Sequence, residues 1–147
     1  MKRYRFRLES VLRVRRVQED VARGALAHAN AAVTAAEAAL VDARSWMEVL
    51  AAEPPPGDPA AWEGRRSIQL GAADEIDERI VDVQGAVDHR TARQVALAEA
   101  RTRVRALERL DERRRAEHDI ENARQTERVV DDLVTSRFHP AERGERA

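Results

Sequence analysis

The chain has 147 residues, of which 43% are hydrophobic, only 3% are aromatic and 36% are charged. Much of the hydrophobic share is alanine, which fills little volume, so the composition argues against a thick globular core and favours long helices joined by a thin seam. The absence of cysteine excludes a disulfide framework and a thiolate metal site, and no uncharged apolar run approaches the ~18 residues of a membrane span.

The first predicted element is a helix over residues 5–52. We expect no secretory signal before it, because charged residues interrupt the start of the chain. Apolar and small residues then recur in an unbroken 3-4 alternation, which predicts a coiled-coil seam. These seam positions are Leu26, Ala29, Val33, Ala36, Leu40, Ala43, Met47 and Leu50. Upstream, the predicted seam follows another phase, joined to the first by a stutter. Its members are Val11, Val14, Gln18, Val21 and Ala25.

A bend is predicted at residues 53–66, which open with the sequence Glu-Pro-Pro-Pro-Gly-Asp-Pro. Three successive prolines lack backbone N–H groups, so no helix can continue through them. Asp58 followed by Pro59 is typical of a helix N-cap with proline at the first helical position, which indicates a short helix through Trp62. Gly64 and Gly71 are expected weak points before the main second helix.

The second main helix is predicted over residues 67–138, with a frayed tail at residues 139–147 after Pro140 and around Gly144. Polar residues at Arg90, Gln94 and Arg101 predict a loosely packed middle. The apolar seam positions are Ile76, Ile80, Val83, Val87, Leu97, Val104, Leu107, Ile120, Ala123, Val130 and Val134.

Together these elements predict an all-α fold, a single domain in which two long helices form an antiparallel coiled-coil hairpin. Folding the chain at the bend pairs Leu50 with about Leu70, and Leu26 with about Gln94. The second helix is then the longer, and residues beyond about His118 overhang. Its expected exposed apolar residues are Ile120, Val129, Val130, Leu133, Val134 and Phe138. A stripe of this kind usually binds another protein, although a different register or self-association would also cover it.

Charge is segregated along the chain. Residues 1–36 carry eight basic and three acidic groups, and residues 89–118 carry nine and five. Residues 37–88 between them carry four basic and twelve acidic groups. In a hairpin the two basic blocks lie side by side, so the open end is expected to be positive and the bend negative. Such a field orients the docking of charged partners.

No arrangement typical of catalysis or of cofactor binding is found. The four histidines are scattered, no glycine-rich phosphate loop is present, and close carboxylate pairs such as Asp74 and Glu78 are neighbours on one helix. An enzyme, a metal site and a cofactor are therefore not expected. Arginines within residues 101–115 leave nucleic-acid binding as an alternative, against which the scarcity of aromatic residues and the pI of about 6.4 both argue.

Two terminal signatures resemble the FliJ family of the bacterial flagellar export apparatus. Residues 106–118 together with residues 127–133 resemble its C-terminal signature, and residues 4–20 resemble its N-terminal one. The resemblance implies a cytoplasmic coiled-coil stalk that acts in flagellum biogenesis and motility, at the inner face of the cell membrane. It implies a protein, monomeric when free, that binds and regulates the hexameric export ATPase FliI, contacts the export-gate membrane protein FlhA and cycles the substrate chaperones of type III protein secretion.

The resemblance also implies two sets of contact residues. The ATPase contact at the open end is expected to include Leu8, Val11, Leu12, Arg15, Arg16, Leu110, Arg113, Arg114, Val130 and Leu133. The export-gate contact nearer the bend is expected to include Ala39, Ala43, Trp46, Leu50, Ile68 and Ala72. For Trp46 a structural role, packing against Trp62 or Ile68 at the bend, is an equal alternative.

Two other functions stay open at this point. One is the equivalent stalk of an injectisome, or another coiled-coil scaffold. The other is an arginine-rich binder of nucleic acid or of an acidic membrane surface, which would show a steep dependence on salt.

Overall fold

The computed structural model describes residues 3–138, which form two helices, α1 (Glu9–Ala52) and α2 (Pro59–Phe138). The described residues contain no strand, and the two helices pack against each other. The predicted all-α hairpin is thus confirmed. The predicted frayed tail, residues 139–147, and the side chain of Phe138 fall outside the part of the chain that is described.

The chain divides into two units. The central unit is Arg16–Thr102, and the terminal unit combines Met1–Arg15 with Arg103–Ala147. Each unit therefore contains a part of α1 and a part of α2.

In the central unit, α1 and α2 bury a narrow seam built largely from small side chains. The eight predicted positions of α1 between Leu26 and Leu50 are all buried or half-buried, which confirms this part of the seam. Ala29 is only 2% exposed and Val33 only 4%. Because alanine adds so little volume, the helices meet over a thin strip of apolar contact rather than around a thick core.

One contact between the antiparallel helices joins Glu19 and Arg101, whose Oε1 and Nε atoms lie 3.6 Å apart. The predicted register pairs Leu26 with Gln94. Glu19 lies seven residues before Leu26, and Arg101 lies seven residues after Gln94. The ion pair therefore agrees with the predicted register.

Upstream of Leu26 the predicted phase of the α1 seam is wrong. Of its predicted members, Val11, Val14 and Val21 are 41%, 56% and 68% exposed, and Gln18 is also exposed. Ala25 alone is half-buried. The inward positions are Leu12, which is 7% exposed, and Glu19, whose side chain is 16% exposed. Leu12 and Glu19 continue the heptad of Leu26 without interruption, so the stutter is absent from α1.

Pairing explains why a glutamate takes the inward position rather than a valine. The Oε1 atom of Glu19 accepts a hydrogen bond of 2.7 Å from Arg23, in addition to its contact with Arg101. A charge that is partly removed from water costs little when it is paired in this way. Shifting the phase to bury the valines would cost the helix its continuous heptad.

A similar correction applies to α2, where Ile80 is 44% exposed and the neighbouring Arg79 is half-buried. Arg79 donates hydrogen bonds to Glu75 and Asp82, at 3.4 Å and 3.2 Å. The guanidinium group therefore stays paired at the seam edge while its aliphatic stem covers apolar surface. The other predicted positions between Ile76 and Leu107 are buried or half-buried.

The predicted loose middle of α2, from Arg90 to Arg101, is confirmed only in its first half, because Leu97 and Ala100 are 5% and 8% exposed. Residues 91–96 are all exposed, and burial resumes at Leu97, which is 5% exposed. Before this stretch, the half-buried Arg90 has a buried Nε atom with no hydrogen-bond partner. Packing across this part of the seam is therefore weaker than on either side of it.

The bend is shorter than predicted, because α2 begins at Pro59 rather than near residue 67. Asp58 caps the helix, with Oδ1 accepting a hydrogen bond of 3.4 Å from the N–H of Ala60. Gly64 and Gly71 do not interrupt α2, and a Cβ atom added at either position would meet nothing within 4 Å. A glycine inside a long helix lowers its stability by about 1 kcal/mol without breaking it.

Arg65 closes the bend by bonding to the end of α1. Its guanidinium group donates hydrogen bonds to the backbone carbonyls of Leu50, Glu53 and Pro54, at 2.7, 2.6 and 2.6 Å. The carbonyl of Leu50 belongs to the last turn of α1, where carbonyls have no partner within the helix and carry partial negative charge, so a cation here satisfies both needs.

Candidate functional site in the terminal unit

The N-terminal segment, residues 3–8, is not helical, although the sequence predicts helix from about residue 5. This segment lies against α2 and is held there by Tyr4. The Tyr4 hydroxyl donates a hydrogen bond of 2.7 Å to Oδ1 of Asp111 and lies 3.3 Å from the carbonyl oxygen of the same residue. We call this contact the Tyr4 clamp.

Two further side chains of α2 complete the clamp. The ring of Tyr4 lies 5.5 Å from the ring of His118, at an interplanar angle of 59°, and the guanidinium carbon of Arg115 lies 5.6 Å from its centroid. Arg115 also contacts Asp111, at 3.5 Å. A tilted ring pair and a cation above an aromatic face are both favourable arrangements.

Sequence analysis missed the Tyr4 clamp because its partners follow no periodic pattern and lie 107 positions away in the chain. The available signal was composition. Tyr4 is the single tyrosine of a chain that has 3% aromatic residues, and it lies in an arginine-rich segment.

An open groove of about 550 Å³ lies beside the clamp, and we call it the tip groove. Its apolar lining comes from Phe6, Leu8 and Leu110, and its basic lining from Arg5, Arg7 and Arg114. Arg114 is paired with Glu117 at 3.1 Å. Arg5 and Arg7 are exposed and form no ion pair within the described part of the chain.

The terminal unit is strongly basic around this groove. Residues 3–15 and 103–118 together carry eleven arginines and five acidic residues. The excess positive charge therefore lies before the last part of α2. An excess of this size attracts anionic partners.

Nine of the ten residues predicted for the ATPase contact lie in the terminal unit, and Arg16 lies in the central unit, where it is exposed. Of the nine, Leu12 is buried and serves the seam, while Arg15 and Leu110 are half-buried. The remaining six are exposed and accessible to a partner. These are Leu8, Val11, Arg113, Arg114, Val130 and Leu133.

The predicted exposed stripe near the end of α2 is confirmed for five of its six members, and the side chain of the sixth, Phe138, lies outside the described residues. All residues from 123 to 135 are exposed, whereas Asn122 is half-buried. Four large apolar side chains in this stretch are between 48% and 58% exposed. We call these residues, Val129, Val130, Leu133 and Val134, the C-terminal stripe; Ile120, which precedes them, is 55% exposed.

Titration of Tyr4 offers a direct measurement of the clamp. Partial burial and the hydrogen bond to the Asp111 carboxylate raise the pKa of the Tyr4 phenol above its ordinary value. Its contribution to stability is therefore fully present below about pH 10, the unfolded value, and is lost as pH rises through the higher folded value. Because Tyr4 is the only tyrosine, ultraviolet absorbance of phenolate reports it alone.

We expect the absorbance titration to have its midpoint above that of the same protein in urea. The variant Asp111→Ala is the control, and it should move the midpoint back towards the unfolded value. Equal midpoints for the native and the urea-unfolded chain would contradict the clamp.

The residues predicted for the export-gate contact all lie in the central unit. Ala43, Leu50 and Ala72 are buried in the seam, at 7%, 5% and 6% exposure. Trp46 and Ile68 are 50% and 54% exposed, and Ala39 is half-buried. Trp46 is therefore not buried beneath the bend, and it offers an accessible indole.

Residues 3–138 contain no cluster of three side chains able to hold a metal ion. Within the same residues, no helix has a stretch long and apolar enough to cross a membrane. The terminal unit suits macromolecular contact, because it combines exposed apolar side chains with exposed arginines.

Comparison with protein families agrees with the two terminal signatures. The family model for the flagellar FliJ protein matches residues 4–143, nearly the whole chain. Searches of curated proteins and of solved structures gave no match. The matched family comprises structural export proteins rather than enzymes, and its flagellar description favours the flagellar apparatus over an injectisome. The chain thus belongs to the FliJ family and is a flagellar export protein.

Proposed function

We propose that this protein is the stalk of the flagellar export apparatus that binds the hexameric export ATPase through its terminal unit and promotes assembly and activity of the ATPase. The observation that carries the proposal is the C-terminal stripe, in a chain of the FliJ family. Exposed side chains of this size, in helical spacing, typically bind a groove on a partner.

The basic charge of the terminal unit supports the same partner surface. Eleven arginines against five acidic residues in residues 3–15 and 103–118 would speed the encounter with an acidic surface. The C-terminal stripe would then supply most of the affinity, because large apolar side chains dominate binding energy more often than exposed charges do.

The first test measures ATP hydrolysis by the cognate export ATPase against the concentration of added protein. We expect the wild-type chain to raise the rate. The double variant Val130→Asp/Leu133→Asp should require about tenfold more protein or more for the same stimulation, since it places two carboxylates in an apolar contact.

The matched control is Val81→Asp/Val95→Asp, which makes the same kind of change at side chains that are 70% and 55% exposed in the central unit. It should stimulate as the wild type does. Equal stimulation by both double variants would exclude the C-terminal stripe from the ATPase contact, and no stimulation by the wild-type chain would overturn the proposed function itself.

We propose further that the export-gate membrane protein contacts the central unit through Trp46 and Ile68. Both are about half exposed on helices that are held in register nearby by the Arg65 hydrogen bonds. Ala39 is half-buried on α1. Ala43, Leu50 and Ala72 would act indirectly, by keeping α1 and α2 packed against each other.

Replacing Trp46 by alanine should weaken binding to the gate protein about tenfold, because exposed tryptophans that enter an interface commonly contribute more than 1 kcal/mol. The thermal midpoint should hardly change. Trp62→Ala is the matched control, since that indole is 54% exposed and is not assigned to the gate. A fall in thermal midpoint with unchanged affinity would show instead that Trp46 has a structural role.

The proposal extends to cycling of the substrate chaperones and to a peripheral position at the inner face of the cell membrane. Membership of a flagellar export family supports both. Co-purification of the tagged chain with a chaperone and with the membrane fraction, lost when the export gate is deleted, would support them.

A further inference from the structure

We infer that the tip groove binds an acidic segment of the partner protein, one in which carboxylates flank a large aliphatic side chain. This inference rests on the proposed function, because it names what the export ATPase presents to the terminal unit. It concerns Arg5, Arg7 and Phe6, which belong to neither predicted set of contact residues.

Within residues 3–138, no ion pair neutralises the two arginines at the N-terminal side of the groove. Arg5 and Arg7 lie at its lining, and neither forms an ion pair within the described residues. Nearby arginines differ in this respect, since Arg114 contacts Glu117 at 3.1 Å and Arg115 contacts Asp111 at 3.5 Å. Two unpaired guanidinium groups on one short segment favour carboxylates, which they can bind in a bidentate geometry.

The apolar lining of the tip groove indicates that the ligand carries an apolar side chain in addition to its carboxylates. Phe6, Leu8 and Leu110 contribute to the groove, and Leu8 is 37% exposed. A groove of about 550 Å³ takes a few side chains rather than a whole helix. A segment that carries leucine between carboxylates would satisfy both linings together.

The Tyr4 clamp keeps this site assembled. Residues 3–8 lie outside any helix, and the hydrogen bond of 2.7 Å from Tyr4 to Asp111 holds the segment against α2. Arg5 and Arg7 are therefore presented on a fixed backbone. Fixing them in advance lowers the entropy that binding would otherwise cost.

A protein segment is favoured over nucleic acid because neither of the two aromatic side chains in the groove lining, Tyr4 and Phe6, is fully open for stacking bases. The ring of Tyr4 is already engaged by Arg115 and His118, and Phe6 is half-buried. Non-specific binding of single strands depends on such stacking in addition to charge. An anionic membrane surface is flat, and it would not fill a concave groove.

The binding experiment uses the full chain and a fluorescein-labelled peptide, Glu-Leu-Glu-Glu-Leu-Glu, followed by fluorescence anisotropy. We expect saturable binding that weakens with added salt. The same peptide with glutamine in place of glutamate should bind about tenfold more weakly or less. Oligothymidylate and vesicles of phosphatidylglycerol and phosphatidylcholine serve as competitors from the other two ligand classes.

The decisive variant is Arg5→Glu/Arg7→Glu, for which we expect affinity for the glutamate peptide to fall about tenfold or more, because two attractions become repulsions. These positions precede α1, so the helix content by circular dichroism should be unchanged. Arg44→Glu/Arg66→Glu is the matched control, with the same change of charge at exposed residues of the central unit. It should bind as the wild type does.

Unchanged peptide affinity in Arg5→Glu/Arg7→Glu would overturn the inference, as would tighter binding of oligothymidylate or of the vesicles. Its failure is separable from failure of the proposed function. If the wild type and Arg5→Glu/Arg7→Glu stimulate the export ATPase equally, the inference is wrong and the stalk function stands. If the wild type gives no stimulation, the proposed function fails whatever the peptide does.

Discussion

Replacing Leu97 by alanine is expected to lower the free energy of unfolding by about 3 kcal/mol, a typical cost for truncating a buried leucine. Leu97 is 5% exposed and is the first buried side chain after the exposed residues 91–96. The neighbouring seam residue, Ala100, is 8% exposed and too small to fill the space left behind. Urea unfolding followed by far-ultraviolet circular dichroism measures the effect.

The matched control for Leu97→Ala is Leu70→Ala, which removes the same atoms from a side chain that is 57% exposed. We expect it to cost less than about 0.5 kcal/mol, as is usual for surface substitutions. Similar costs for the two variants would contradict the assignment of Leu97 to the seam.

Replacing Arg65 by alanine is expected to destabilise the hairpin by about 2 kcal/mol, because the change leaves three carbonyls near the end of α1 without their charged donor. Two of these hydrogen bonds are exposed, so water replaces the lost donor there. The bond to Leu50 is partly buried and accounts for much of the expected cost.

The neighbouring arginine provides the control for Arg65→Ala. Arg66 is exposed, and Arg66→Ala removes the same charge from the adjacent position of α2. It should leave the unfolding midpoint nearly unchanged. Lysine at position 65 should recover only part of the stability, because it has one donor group where arginine has a planar fork.

Where the sequence repeats, it predicts this fold well. The heptad from Leu26 to Leu50, the cap at Asp58 and the register that pairs Glu19 with Arg101 all follow from spacing and from turn chemistry. Periodicity is a sound guide there because an alanine-rich helix has one apolar stripe to bury.

Prediction fails where hydrophobicity competes with pairing. The valines Val14 and Val21 look like better seam residues than Glu19, and yet they are exposed. Glu19 is accommodated because Arg23 and Arg101 reach it, and the second of these lies on the other helix. A contact between distant parts of the chain cannot be found from a local apolar pattern.

The candidate site shows the same limit more strongly. Exposure of the C-terminal stripe follows from the unequal lengths of the helices, and it was predicted. The Tyr4 clamp was not, because residues 3–8 look like the start of a helix and their partners are on α2. The contact depends on single side chains rather than on a repeated pattern.

The hydrogen bonds of Arg65 also bear on the order of folding. The three carbonyls that it binds lie 11 to 15 positions before it, whereas Tyr4 and Asp111 are 107 positions apart. Short loops close at a smaller entropic cost. We therefore expect the pairing of α1 with α2 to begin beside the prolines and to reach Tyr4 last. During synthesis, α1 therefore leaves the ribosome first, and its alanine stripe stays exposed to water until the bend and α2 have followed.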